Sequence, residues 1–340
     1  MANSHVLVAG TGGITLMDNT GADLGYPVKM RLGVLSKKLM NLPPPALTEL
    51  LSMEHRPGQI EPAKTSLKAG VSIRPGHVLE VAYNQLPANF NHFLYDWRAD
   101  LRYSAAQLLD FLQQRRPANG RWNIVAHSQG GLLVVLVSKM FANPADFSQL
   151  VCSVTLVGVP LAGTVNAAVA MITGDQMGAS TISQFQEIIR TWPAIYQMLP
   201  AWPALVDSAG SPLPAAAQLT QPGGWGTLPN ISADLLDRTT AVQRTLRDPL
   251  GWMEGDIQVK LLLGVNRNTG VTLASAANGP TGELDTQVKG DTLVPYEQTV
   301  RWLGDPIIPF IETFGSPCRE HAFLNSDPTV ATRIAQLQRS

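Results

Sequence analysis

Trp122-Asn-Ile-Val-Ala-His-Ser128-Gln-Gly-Gly-Leu-Leu-Val-Val-Leu-Val-Ser-Lys139 reads as a buried strand, an abrupt turn and an apolar helix. Trp122, Ile124 and Val125 are strand formers, and Leu132 to Val137 continue as a buried helix. Between them, Ala126-His-Ser-Gln-Gly130 is a variant of the G-x-S-x-G pattern with alanine in the first position. The pattern has a steric cause. A serine on a sharp strand-to-helix turn takes strained backbone angles, so the residues two before and two after it must be small. Such a turn lifts the Ser128 hydroxyl above a sheet and sets it at the positive end of the following helix. The competing reading is a serine N-cap on an ordinary helix. A strand before and an apolar helix after favour the turn.

At 340 residues the chain is long enough for one large α/β domain or two smaller ones. Hydrophobic residues make up 45% and charged residues 15%, and the formal net charge is −1. That balance gives no reason to expect nucleic acid as a partner. Two cysteines, Cys152 and Cys318, imply no disulfide framework. Cys152 opens an apolar run as core, and Cys318 is expected as a free thiol on a loop. The N-terminus has no cationic stretch followed by an apolar core, so the expectation is a cytoplasmic protein, with unconventional export left open. No run approaches the roughly eighteen apolar residues of a membrane span.

His5-Val-Leu-Val-Ala9 is a short buried strand ending in Gly10-Thr-Gly-Gly13. A dinucleotide-binding reading fails here, because the third glycine and the later acidic residue are out of place. Residues 18–76 are an excursion rich in Pro, Gly, Met and Leu, with a short helix expected at 46–53. Tyr26, Pro27 and Met30 there are either pocket lining or part of a small satellite core. Strands are expected at 77–83, 93–98, 151–157, 258–265 and 307–314, and helices at 104–113 and from Asp327 onward. Tyr95-Asp-Trp-Arg98 places an acid and a base two apart, able to pair across a turn. The alternation of strands and helices argues a mostly parallel, doubly wound sheet.

From 166 to 256 the alternation stops, and this stretch holds Trp192, Trp202, Trp225 and Trp252. Single amphipathic helices are expected at 183–198 and 231–247, the second capped by Ser232. Their apolar faces read as a cap or lid over an apolar substrate, with a packed helical subdomain as the alternative. The core is then 1–165 and 257–340, interrupted by the 166–256 insertion.

A serine hydroxyl needs a base, and a histidine base needs an orienting carboxylate. Of six histidines, only His321 lies beyond the last strand. Asp291 follows the 258–265 strand, with Asp285 and Asp305 as rivals. His127 adjoins the nucleophile but is read as packing. No metal-ligand spacing occurs, so no cofactor or metal is expected.

These positions resemble the lecithin:cholesterol acyltransferase-like lipases and acyltransferases of the α/β-hydrolase superfamily. The resemblance rests on Ala9-Gly-Thr11, Tyr95-Asp-Trp-Arg98, Ala126-His-Ser-Gln-Gly130 and Gly158-Val-Pro-Leu-Ala-Gly-Thr164. It extends to Met198-Leu-Pro200, Gly290-Asp-Thr-Leu-Val-Pro295 and Glu320-His-Ala-Phe-Leu324. It implies an α/β-hydrolase fold with a helical cap or lid, and a triad of Ser128, Asp291 and His321. It also implies an oxyanion hole from the backbone N–H groups of Thr11 and Gln129. Gly12, Tyr95, Trp97, Leu161 and Trp192 are expected around a substrate pocket. The implied activity is cleavage or transfer of an apolar acyl ester, with lipid or another apolar ester as substrate. The apolar composition of 183–256 separately suggests transient membrane-surface contact. A non-catalytic lipid or small-molecule binding protein on the same fold is the alternative. The cysteine pair that pins the lid in the animal enzymes is missing, so lipoprotein activation and cholesterol as acceptor are not expected.

Overall fold

The computed structural model describes residues 3–25, 42–72, 90–174, 185–247, 256–304, 311–314, 321, 324 and 327–337. Six strands form its central sheet: β1 (Ser4–Val8), β2 (Phe90–Phe93), β3 (Trp122–His127), β4 (Val151–Val157), β5 (Gln258–Gly264) and β6 (Ile311–Phe314). Their order is β6-β5-β4-β3-β1-β2, and every neighbouring pair is parallel. Parallel strands covered on both faces carry continuous apolar runs rather than alternation. All six residues of β3 are buried, the polar Asn123 and His127 included, so the strand shows no exposed face. The chain steps from β1 outward to β2 and then returns across β1 to β3. The strand order therefore reverses between β1 and β3, and in open α/β sheets the crevice beyond the carboxyl ends at such a point is where ligands bind.

Four helices matter for the site. The first, α1 (Leu101–Gln114), begins at Asp100, whose side chain accepts from the Arg102 N–H. The second, α2 (Gln129–Ser138), follows β3 directly, and all ten of its residues are buried. It packs against α1 and β3. The third is α3 (Val165–Thr173), capped by Thr164. The last, α4 (Pro328–Leu337), closes the chain, and Asp327 accepts from the Thr329 N–H at its start. The expected helices at 46–53 and 104–113 are present as Pro44–Leu51 and Leu101–Gln114.

Three expectations are corrected. The strand expected at 93–98 is Phe90–Phe93, because Asp96 and Arg98 pair and the Ala99 N–H bonds back to the Asp96 carbonyl, turning the chain. The single helix expected at 183–198 is two short ones, Phe185–Ile189 and Pro193–Gln197, since Pro193 cannot continue a helix and instead starts the next. The polar stretch after β5, rich in Gly, Asn and Thr and with no strand expected in it, is built of antiparallel strands. Arg267–Gly270 pairs with Gln287–Gly290, and Leu273–Ala276 pairs with Gly279–Leu284 across the Ala277-Asn278 turn. The strand expected at 77–83, Tyr26, Pro27, Met30, Trp252, Asp305 and Cys318 lie outside the described residues.

The described helices between 185 and 246 pack against the rest of the chain. Phe185, Ile188, Ile189, Trp192 and Tyr196 are all buried, as are Leu235, Leu236, Val242 and Leu246 of the helix Ala233–Leu246. The apolar faces expected to lie open are therefore packed. Trp192 stands edge-on to both Trp97 and Phe185, at 5.4 and 5.9 Å, and its indole N–H donates to the Leu51 carbonyl at 2.8 Å. Among the described residues no helix is long and apolar enough to cross a membrane.

Gly130 tests the junction of β1, β3 and α2. A Cβ there would lie 2.3 Å from the Val8 carbonyl oxygen and 2.6 Å from that of Ala9. Neither atom is a flexible side-chain end, so Gly130→Ala is expected to destabilise the fold by roughly 3 kcal/mol. Urea unfolding measures this, and a midpoint equal to the parent's would contradict the packing described.

Candidate active site

The carboxyl ends of the strands carry the residues singled out from the sequence. Ser128 follows β3 with φ 54° and ψ −131°, a region that non-glycine residues rarely occupy. Its N–H donates to the Val157 carbonyl at 2.9 Å, and its own carbonyl accepts from the Gly131 N–H at 3.0 Å. These bonds hold the turn at the end of β4 and the start of α2.

His321 Nε2 lies 2.7 Å from Ser128 Oγ, and His321 Nδ1 lies 2.9 Å from Asp291 Oδ2. An ionised carboxylate only accepts, so Nδ1 carries the proton and Nε2 is left to accept from the serine hydroxyl. Asp291 is fully buried, and its other oxygen accepts the N–H groups of Leu293 at 3.0 Å and Val294 at 2.7 Å. Its loop is anchored from two sides. Thr164 and Asn166 donate to the carbonyls of Leu293 and Thr292, and the Thr292 N–H donates to Thr269 Oγ1. The His321 N–H donates to the Asp291 carbonyl at 2.8 Å, which ties the two loops together. The rival Asp285 is exposed, with its carboxylate accepting from Thr272 and Thr286.

The Gly10–Gly13 turn comes against the serine from the β1 side. A Cβ on Gly10 would be 2.7 Å from Ser128 Cβ, so only glycine lets the turn approach this closely. Thr11 is partly exposed, and Gly12 has φ 72° with open space where a side chain would be. Tyr95, Trp97, Leu161 and Trp192 are each about 1% exposed. Tyr95 donates to the Ala9 carbonyl at 2.7 Å and Trp97 to the Ile14 carbonyl at 3.0 Å. The expected Asp96–Arg98 pair is present as two hydrogen bonds of 2.9 and 2.7 Å. Among the described residues no group of three His, Cys, Asp or Glu stands close enough to hold a metal ion.

Two residues gain roles the sequence did not suggest. Gly158, at φ 56°, passes directly beside the carboxylate and the imidazole. A Cβ there would meet Asp291 Oδ2 at 3.0 Å, His321 Cε1 at 3.3 Å and a Leu324 methyl at 2.4 Å. His127, read as packing, instead donates its Nε2–H to the His321 carbonyl at 2.9 Å, with the two rings 5.1 Å apart. Neither role is local in sequence: one glycine lies 163 positions from the histidine it approaches, and the hydrogen bond of His127 spans 194.

Burial, reinforced by the neighbouring His321, pushes the His127 pKa down to about 3, against the pull of the carbonyl it bonds. In the unfolded chain it titrates near 6.5. Between those values the unfolded state binds the extra proton, so this group's contribution to stability falls as pH falls from 6.5 toward 3. The stability gap between the parent and His127→Asn is therefore expected to narrow by roughly 2 kcal/mol between pH 6.5 and 4.5. Urea unfolding at both pH values measures it, and an unchanged gap would show that His127 is not buried neutral.

No curated protein matches the chain in sequence. Among solved structures, the crystal structure of a Tle4–Tli4 complex superposes with a TM-score of 0.62 at 14% identity, over 99% of this chain and 98% of that one. Bacillus licheniformis lipase BlEst2 in its mature form gives 0.41 at 10% identity, over 76% and 82%. The sheet order and the first of these likenesses make the fold that of the α/β-hydrolases. The family model for lecithin:cholesterol acyltransferase matches residues 87–270. That span takes in Tyr95 to Arg98, the Ser128 turn and the Gly158 loop, while Asp291 and His321 lie beyond it. Because the match covers more than half of its length, the chain belongs to the lecithin:cholesterol acyltransferase family.

Proposed function

We propose that the protein is a serine hydrolase of carboxylic esters with apolar acyl groups, working through an acyl-enzyme on Ser128. The carrying observation is the unbroken hydrogen-bonded line from Asp291 through His321 to Ser128, at the point where the strand order reverses. Family membership supports a lipid-acting esterase or acyltransferase.

The hydrogen-bonded line supports the following steps. Ser128 Oγ attacks the ester carbonyl carbon as its proton passes to His321 Nε2. The buried Asp291 carboxylate holds the imidazole by Nδ1–H and stabilises the positive charge that develops on it. The carbonyl oxygen becomes negative and is received by the backbone N–H groups of Thr11 and Gln129, the latter at the start of α2. The carbon–oxygen bond to the alcohol then breaks, and the alcohol leaves with the proton from Nε2. Water, or a second alcohol, repeats the sequence on the acyl-serine and frees the product. Gly12 and Leu161 bound the acyl chain, backed by the rings of Tyr95, Trp97 and Trp192. The 166–256 insertion serves as the cap that keeps water out, and transient docking on lipid would bring substrate to it.

The test is esterase activity on p-nitrophenyl esters of increasing chain length. Ser128→Ala is expected to lower kcat/KM by at least about a thousandfold, and Asp291→Asn by roughly 10³–10⁴. The rate should rise from short to medium acyl chains. Product analysis with an added alcohol distinguishes hydrolysis from acyl transfer. Activity left intact in Ser128→Ala would overturn the proposal, and retained lipid binding without activity in the parent would favour a non-catalytic carrier.

A further inference from the structure

The Gly10–Gly13 turn presents a physical problem. Three of its four residues are glycines, the least constrained backbone available. Yet donors that stabilise a developing oxyanion act only if they are already in place. The side chain of Gln129 supplies a solution. It is completely buried, and its Nε2 donates to the Trp97 carbonyl at 2.8 Å. A carbonyl only accepts, so the amide orientation is fixed, and Oε1 is left to accept the Thr11 hydroxyl, which lies against it.

Resting on the reading of Ser128 as nucleophile, we infer that the Gln129 side chain is a positioning group that locks the two oxyanion donors to one another. Its own backbone N–H is one donor, and through Thr11 Oγ1 it holds the residue that carries the other. The tie continues into the Tyr95–Arg98 element. Trp97 receives the Gln129 amide and clamps the Ile14 carbonyl, while Tyr95 clamps the Ala9 carbonyl. The turn is thus held at both ends and in its middle by groups outside itself. A primary amide supplies both the donor and the acceptor that this place uses. Leucine or methionine of similar size makes neither bond, and glutamate accepts from Thr11 but leaves the Trp97 carbonyl without its donor.

The experiment is steady-state kinetics on a p-nitrophenyl ester with Gln129→Leu, Thr11→Val, their double variant, Thr11→Ser and Ser128→Ala, each checked by circular dichroism and thermal melting. Gln129→Leu and Thr11→Val are each expected to lower kcat about 10–100-fold with KM changed less than about threefold, because the tie acts on the transition state. The double variant should be no slower than the worse single one, since both remove the same tie. Thr11→Ser, which keeps the hydroxyl, should recover most of the rate lost in Thr11→Val. Thr11→Val is isosteric and on a partly exposed turn, so it reports even where Gln129→Leu fails to fold. Inactive Ser128→Ala with unchanged kcat in Thr11→Val, or fully multiplicative losses in the double variant, would overturn the tie and leave the nucleophile in place. Active Ser128→Ala would overturn both.

Discussion

Ser128 sits at φ 54° and ψ −131°, a conformation that costs of order 1–3 kcal/mol and persists only where the surroundings over-determine it. The surroundings here are β1, β3, β4 and α2. The Val157 carbonyl holds the serine N–H, the Gly131 N–H holds its carbonyl, and the glycines at 10 and 130 let neighbouring backbone close in without a clash. Each of those glycines is needed by the turn rather than by its own element. The sheet, with β3 buried along its whole length and α2 buried on every side, is the rigid body against which that strain is held. If the turn relaxed, the hydroxyl would leave the imidazole and Gly10 would lose its reason to be small.

Around the turn, groups from distant parts of the chain share one design. Several polar groups at the site are held by bonds to backbone as well as to one another. Asp291 holds the N–H groups of its own turn, His321 and Asp291 exchange a backbone bond, and His127 grips the His321 carbonyl. The buried indoles do the same at a larger scale. Trp97, Trp122, Trp192 and Trp225 each donate to a carbonyl. Burying a ring this large is favourable only if its N–H finds a partner, so these residues fix loop positions as well as filling volume.

The sequence made the centre of this architecture legible because its signals are local. A strand, a turn of small residues and an apolar helix lie within eighteen positions. The chain order of Ser128 after β3, Asp291 after β5 and His321 after β6 anticipates that their side chains can meet, and the structure brings them within hydrogen-bonding distance. What escaped the sequence was set by tertiary contact. Pro193 reads as tolerable inside an amphipathic pattern until the break it causes turns Trp192 onto Trp97. The strands between Arg267 and Gly290 carry little apolar alternation, since part of their pairing is with each other over a mostly exposed face. His127 was placed against His321 by a bond spanning 194 positions, which no spacing rule encodes. The apolar faces of the insertion looked open only because their partners in the core were distant in sequence.

If Ser128 is the nucleophile, it becomes acylated during turnover. The most direct measurement is intact-protein mass spectrometry of enzyme quenched in acid during reaction with a p-nitrophenyl ester, followed by peptide mapping. The expected result is a burst of p-nitrophenol and a mass increase of one acyl group on the peptide containing Ser128. Turnover with no acyl adduct and no burst, or an adduct on another residue, would contradict it.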